Sequence, residues 1–252
     1  MKLSAIIITH NEERNIARCI DSLNEIADEI IVADSFSADK TCEIAASKGA
    51  KVFQRKWYGY GNAKNFAAQQ SLHEFILSID ADEAISDPLK KSINQAKTKG
   101  LEGIYKFNRL SNYCGKWIYH CGWYPDKKIR IYPKSKAEWN NEIVHEEIIF
   151  KENLPKNFLT GDLHHYSYYS VKEHWEKAKK YAEMGAQRDL QKKNNFLLLR
   201  SFFAAGAKFL KMFFFQLGFL DGRKGFTICR ISAYGAYRKY STKQKLLKKN
   251  AR

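Results

Sequence analysis

Two carboxylates separated by one small residue close an apolar run in the stretch Phe75-Ile76-Leu77-Ser78-Ile79-Asp80-Ala81-Asp82-Glu83. Such a run suits a central strand of a parallel sheet, and open α/β sheets place ligands beyond the carboxyl ends of those strands. Asp80 and Asp82 flank Ala81, so both can converge on one hard cation, Mg²⁺ or Mn²⁺, which would carry the oxygens of a diphosphate. That is the chemistry of a nucleotide-sugar site. The folding alternative is that the two acids cap a helix beginning near Asp87-Pro88.

A site of this kind needs neighbouring strands to complete it. Apolar runs at residues 3–9, 29–33, 51–53 and 75–79 read as strands. Between the first three, Ile16, Cys19, Ile20 and Leu23, then Cys42, Ile44 and Ala45, have helical spacing. This alternation predicts a βαβαβ unit with parallel strands and right-handed crossovers, one half of a doubly wound sheet. Thr9-His10-Asn11-Glu12-Glu13 then falls at the carboxyl end of the first strand, and Asp34-Ser35-Phe36-Ser37-Ala38-Asp39-Lys40-Thr41 at that of the second. Asp34 can accept hydrogen bonds from a nucleoside and His10 can lie flat against a base, while Asn11 and Asp39 suit N-caps of the following helices. Gly61-Asn62-Ala63-Lys64-Asn65 opens a further helix, from which Lys64 either reaches a phosphate or stays a solvated surface lysine.

Ile-Ile-Ile-Thr-His-Asn-Glu-Glu, Val-Ala-Asp-Ser-Phe-Ser-Ala-Asp-Lys-Thr and Ile-Asp-Ala-Asp-Glu, in that order, resemble the family 2 inverting glycosyltransferases of the GT-A fold. The resemblance implies a Rossmann-like mixed α/β sheet. It assigns Thr9, His10, Glu12, Asp34, Asp80 and Ala81 to the nucleotide sugar and Asp80 and Asp82 to a divalent metal. Where the second motif often has two adjacent acids, this chain has Asp34-Ser35.

After a helix carrying Leu89, Ile93 and Ala96, strands at 104–107 and 129–132 open an acceptor half. Its aromatics, Tyr113, Trp117, Tyr119, Trp123, Tyr124 and Trp139, suit sugar faces or core packing. An inverting transfer needs a carboxylate to take the acceptor hydroxyl proton. Glu146, in a Val-His-Glu that extends the resemblance, is the candidate, with Glu147 its rival and Asp126 more distant; as an alternative, Glu146 is a solvated edge acid. His164-His165-Tyr166 follows a short strand-like Phe158-Leu159, and the resemblance offers either histidine to the metal against a hydrogen-bonded loop role.

The net charge of +16 is uneven: residues 1–170 carry 23 Lys+Arg against 22 Asp+Glu, whereas 171–252 carry 20 against 5. A near-neutral front suits a small molecule and a basic back suits a polyanion. Residues 1–170 are expected to form the catalytic domain (1–100 donor half, 101–170 acceptor half) and 171–252 a helical basic tail. Five cysteines without a C-x-x-C pair fit a reducing cytosol, and the amino-terminal apolar run reads as a strand, too short for a signal peptide. A charged amphipathic helix is expected over 171–193.

Within 196–220, Arg200, Lys208 and Lys211 fall in one helical arc and break the apolar run below the length of a transmembrane span. Leu199, Phe202, Phe203, Phe209, Leu210, Phe213, Phe214 and Leu217 lie around the other side. This predicts a helix lying in an anionic membrane interface; the same pattern suits a helix packed on the catalytic domain. The phenylalanines are banded together instead of interleaved with the cations, so no nucleic acid is expected.

Phe219-Leu220-Asp221-Gly222-Arg223-Lys224-Gly225-Phe226 resembles the tail motif of bacterial lipopolysaccharide core glucosyltransferases. That resemblance implies a UDP-sugar donor, UDP-glucose, a lipid-linked core saccharide acceptor and a place on the inner face of the cytoplasmic membrane. The alternatives are a glycosyltransferase for another glycan or peptide acceptor and, from a different class, a non-catalytic basic membrane- or nucleic-acid-binding protein.

Overall fold

A computed structural model describes residues 1–140, 147–191 and 196–250, the last two without their side chains. The first half alternates as expected: β1 (Leu3–Thr9), α1 (Ile16–Leu23), β2 (Glu29–Asp34), α2 (Thr41–Ser47), β3 (Lys51–Gln54), α3 (Tyr60–Gln69) and β4 (Phe75–Asp80). Then come β5 (Glu83–Ile85), α4 (Asp87–Lys99), β6 (Ile104–Tyr113), β7 (Lys116–Ile118), β8 (Asp126–Pro133), β9 (Ala137–Trp139), β10 (Ile148–Phe150) and β11 (Lys156–Tyr168). Helices α5 (Val171–Arg188), α6 (Leu197–Leu210) and α7 (Gly222–Asn250) follow.

The strands form a mixed α/β sheet in the order β3-β2-β1-β4-β8-β6-β11-β5, with β7 on β6. β1 pairs in parallel with β2 and β4, and β4 pairs antiparallel with β8. The Asp-x-Asp strand therefore lies where the sheet changes direction, not within an all-parallel sheet. It is nonetheless covered on both faces, with Ile76, Leu77, Ser78 and Ile79 all buried. Helix α1 puts Ile16, Cys19, Ile20 and Leu23 into the core, the four positions its spacing singled out.

Two expectations are corrected. The helix at Asp87 is capped by Ser86, whose Oγ accepts from the Leu89 N–H at 3.4 Å, so Asp80 and Asp82 are not its caps. The short strand at Phe158-Leu159 is the start of the much longer β11, which runs through both histidines to Tyr168. Gly161 makes that run possible. Its φ is +99°, and a Cβ there would sit 2.3 Å from the Leu89 backbone nitrogen.

The chain divides into two compact units. One holds Met1–Arg109 and Asp126–His165, with the sheet and its flanking helices; the other holds Leu110–Pro125 and Tyr166–Arg252. In the second, Tyr113, Ile118 and Cys121 pack with Met212, Ile228 and Cys229. Asp221 accepts from the His120 N–H at 2.9 Å and lies 3.2 Å from its Nδ1, tying the 110–125 hairpin to the start of α7. The expected amphipathic segment is not one straight helix: after α6 come a π-helical turn (Lys211–Phe215), Leu217 at φ +53° and a 3-10 turn (Gly218–Asp221). Among the described residues no single helix is long and apolar enough to cross a membrane, while 197–215 with 218–248 meet that test only as a pair bent by 75°.

Gly161→Ala is expected to lower stability by on the order of 3 kcal/mol, read from the urea midpoint, because added volume and left-handed backbone strain coincide against α4.

Candidate active site at the carboxyl edge of the sheet

Parallel register gathers the sequence motifs at one edge, where Thr9 is paired with Asp34 and Ile8 with Asp80. The two loops leaving this edge are stitched together. Asn11 Oδ1 accepts from the Ala38 N–H at 2.8 Å, its own N–H donates to Ser37 Oγ at 2.8 Å, and the Glu12 N–H donates to Thr41 Oγ1 at 2.8 Å. Asn11 is thus a cross-loop brace and not an N-cap, whereas Asp39 does accept from the Thr41 N–H ahead of α2. Glu12 is half-buried and accepts from Asn15 Nδ2 at 2.6 Å, and His10 is exposed.

Asp34 is buried and holds its loop: its carboxylate takes the Ser37 hydroxyl and N–H and the Gln54 amide. Burial pushes the carboxyl up, but the Ser37 contacts outweigh it and hold Asp34 below the usual range. Thr9 differs. Its buried Oγ1 has no hydrogen-bond partner, an uncommon state for a buried polar atom.

Beneath the edge runs a chain of alternating charge. Lys64 Nζ lies 3.4 Å from Asp80 Oδ1, Arg130 is 3.2 Å from Asp80 Oδ2 and 2.5 Å from Glu83 Oε1, and Arg109 joins Glu83 at 3.4 Å to Asp126 at 2.7 Å. Glu83 Oε2 also accepts from the Asp80 N–H at 3.0 Å. Lys64 is 2 % exposed, Arg130 4 % and Glu83 0 %. Although burial raises the Asp80 carboxyl, Lys64 and then Arg130 hold it well below the usual carboxylate range. The same network raises Arg130 despite its burial, chiefly through Glu83 and Asp80. Lys64 is therefore neither solvated nor free: it is the buried counter-ion of Asp80, set 4.3 Å over the Trp139 ring. Asp126, tied to Arg109 and Lys128 and lowered against its burial, is a poor proton acceptor.

Asp82 lies beyond the buried turn residue Ala81 and is only partly covered, with its Oδ2 3.3 Å from His165 Nε2. The pairing of β11 with β5 sets His165 opposite Glu83 and His164 opposite Ala84, so alternation turns the two rings to opposite faces. Burial pushes the His164 imidazole down even though Asp162 and Asp87 oppose it. Of the two histidines offered to a metal, the geometry brings His165 to the Asp-x-Asp.

Helix α3 links this edge to the segment carrying the candidate base. A Cβ on Gly61 would sit 1.9 Å from the Asn140 carbonyl oxygen, and Asn65 clamps Trp139 by accepting its N–H and donating to its C=O, both at 2.8 Å. Asn140 in turn pairs with Glu147, its N–H donating to the Glu147 carbonyl at 2.9 Å. Glu146 lies outside the described residues; Glu147 is exposed. Tyr113 and Trp139 are core side chains, Tyr119 is exposed, and Tyr119 and Tyr124 meet edge to face at 5.6 Å. Sequence reasoning missed Arg130, Glu83 and Asn65; the signal for Arg130 was a lone cation in the apolar run 129–132, a pattern that demands a buried partner.

The fold and this edge define a mixed α/β enzyme with its acids collected at the carboxyl ends of parallel strands. Residues 4–175 match the family described as Glycosyl transferase family 2. An uncharacterised glycosyltransferase of Rickettsia typhi is 32% identical over 246 residues, covering 94% of this chain and 84% of that protein. The lipopolysaccharide core biosynthesis glycosyltransferase LpsC of Rhizobium meliloti is 26% identical over 262 residues, covering 96% and 94%. Among solved structures, Staphylococcus aureus TarS 1–349 is similar over 100% of this chain and 91% of its own at 15% identity, with a TM-score of 0.49. Glucosyl-3-phosphoglycerate synthase from Mycobacterium tuberculosis in complex with Mn²⁺ and UDP covers 44% of each chain at 25% identity, with a TM-score of 0.35. The chain belongs to glycosyl transferase family 2 and is a glycosyltransferase.

Arg130→Gln is expected to cost about 3 kcal/mol near neutral pH, since it strands buried carboxylates, while Arg109→Gln should cost less because Asp126 keeps Lys128. The pH dependence has a definite sign. Asp80 is depressed in the folded state, so its contribution is complete above the unfolded carboxylate pKa of about 4 and is lost as pH falls through the folded value. Without Arg130 that depression shrinks, so the gap between variant and parent in urea should hold constant from pH 7 down to about pH 5 and narrow only as the pH falls below about 4.

Proposed function

We propose that this glycosyltransferase moves a sugar from a UDP-sugar, with UDP-glucose the donor implied by the motifs, onto a lipopolysaccharide core or related lipid-linked saccharide, with inversion and with a divalent cation. The reading is carried by one observation: Asp82, partly exposed, meets His165 at 3.3 Å on the edge where Thr9 ends β1 with a buried, unpartnered hydroxyl. Among the described residues no three His, Cys, Asp or Glu side chains form a metal cage. That fits Mg²⁺ or Mn²⁺, which take one or two carboxylates plus substrate phosphates and water. Asp82 and His165 would hold the ion, with Asp80, already paired to Lys64 and Arg130, bracing the turn from behind. The ion would supply the positive charge that a departing diphosphate requires.

The chain's own groups do the rest. Thr9 and the braced loops after β1 and β2 receive the nucleotide, with Asp34 fixing the second loop and His10 exposed beside it. Glu146 takes the proton of the acceptor hydroxyl as that oxygen attacks the anomeric carbon; Glu147 is the next carboxylate along. Asp82→Asn should abolish Mn²⁺-dependent UDP-sugar hydrolysis while leaving the melting temperature near the parent value, and activity near wild type would refute the metal assignment. Glu146→Gln should keep donor binding and lose on the order of 10² or more in turnover, whereas a larger loss from Glu147→Gln would shift the base by one residue.

The same reading puts the enzyme on the inner face of the cytoplasmic membrane. Supporting it, Phe196 (81 %), Phe203 (70 %) and Phe215 (84 %) are strongly exposed, a poor outcome for a helix meant only for core packing. Phe213 is different, for it stacks on Phe209 at 5.3 Å and meets Phe226 at 6.0 Å. Replacing Phe203, Phe214 and Phe215 by Ser should therefore release the protein from anionic vesicles in co-sedimentation with little change in melting temperature. A sharp fall in melting temperature with vesicle binding intact would mark the segment as core.

A further inference from the structure

The start of α7 carries an electrostatic conflict. A helix amino terminus favours anions, yet the first turn of α7 has no acidic residue and holds Arg223 and Lys224. Asp221, placed one residue ahead of the helix, is buried and turned away, its carboxylate accepting from the His120 backbone N–H and facing its ring. Two turns further along the same face stands Arg230. Among the described residues no ion pair joins either guanidinium to a carboxylate; Arg230 faces the Trp175 ring at 5.8 Å and lies close enough to Tyr113 to act on its hydroxyl.

Arg223 and Arg230 both line one open cup of about 470 Å³. Phe213, Phe219 and Phe226 wall it, with Phe213 meeting both of the others at 6.0 to 6.1 Å, and Gly222 and Thr227 line it together with Arg223 and Arg230. Thr227 Oγ1 donates to the Arg223 carbonyl at 2.8 Å, which fixes its lone pairs as the remaining polar offer. Next to the cup, Phe215, Leu217 and Leu220 are exposed. An inorganic anion would leave the aromatic walls unused, and a neutral apolar chain would leave the two cations unused.

We propose that this cup binds one molecule of an anionic phospholipid, its phosphate between Arg223 and Arg230 and the start of its acyl chain against Phe213, Phe219 and Phe226. The charge match decides for a phosphomonoester headgroup, because paired guanidiniums recognise phosphate oxygens in a fork geometry that a diffuse surface charge lacks. The Asp221-Gly222-Arg223-Lys224-Gly225 motif then has two jobs in one turn. Asp221 locks the hairpin, and Arg223 lines the cup. This deepens the membrane-face reading by naming a headgroup, and monomeric lipid tests it apart from that reading and from glycosyl transfer.

Isothermal titration of the full chain with dihexanoyl phosphatidic acid, kept below its micelle concentration, should show saturable binding. Dihexanoyl phosphatidylcholine and inorganic phosphate should each bind about tenfold more weakly or worse. The double variant Arg223→Gln/Arg230→Gln should lose about tenfold in affinity with its helical circular dichroism unchanged. Lys245→Gln/Lys248→Gln, which removes the same charge from exposed positions at the far end of α7, should stay within about twofold. Should the arginine variant lose helicity, Thr227→Phe, which fills the cup and keeps both cations, must abolish binding. The proposal is overturned if phosphatidylcholine or inorganic phosphate binds as tightly as phosphatidic acid, if the two double variants weaken binding equally, or if no saturable binding occurs.

Discussion

Charge alternation from Lys64 through Asp80, Arg130 and Glu83 is the constraint on which the carboxyl edge of the sheet, the candidate active site, depends. At an effective dielectric near 20, two unit charges about 4 Å apart interact by about 4 kcal/mol, enough to decide ionisation and position in a site closed to water. Any one of these groups left alone would pay a desolvation penalty of several kcal/mol. Taken together they fix the backbone of the β4 to β5 turn, because Glu83 holds the Asp80 N–H while Arg130 holds both side chains. Asp82 is then the acid of the turn outside this network: its side chain is about as open as that of Asp80, 26 % against 30 %, and it meets His165.

Helix α3 joins this network to the other side of the edge. Its Lys64 points at Asp80 and its Asn65 at the Trp139 backbone, on consecutive residues, while Gly61 one turn earlier lets Asn140 approach. Trp139 closes the arrangement by covering the Lys64 ammonium and donating through Nε1 to Tyr132 at 2.9 Å. A cation can be buried here because one face has a carboxylate and the other an aromatic ring, so water is replaced on both sides.

The parallel half was legible because its signals are local. Apolar runs ending at Thr9, Asp34 and Asp80 became adjacent strands, and helical spacing named the buried face of α1 residue by residue. The second half was less so: Gly161 reads as a strand breaker, yet in β11 its missing side chain admits the backbone of α4 and the strand continues. The choice between His164 and His165 needed a register, which pairing across distant sequence sets and periodicity cannot. Lys64 looked like a surface or phosphate residue because its partner lies on another strand. Arg130 was passed over for the same reason, although a lone cation inside an apolar run is a visible demand for a counter-ion.

Asn65 grips position 139 through peptide groups alone. A clamp that reads backbone is indifferent to the side chains that follow it, so the chain beyond Asn140 can change its composition without loosening its anchorage. Substitutions downstream of the clamp can in this way accumulate while the ion-paired floor around Asp80 stays as it is. The architecture thereby separates what must stay constant beneath the carboxyl edge of the sheet from what is free to diversify beyond it.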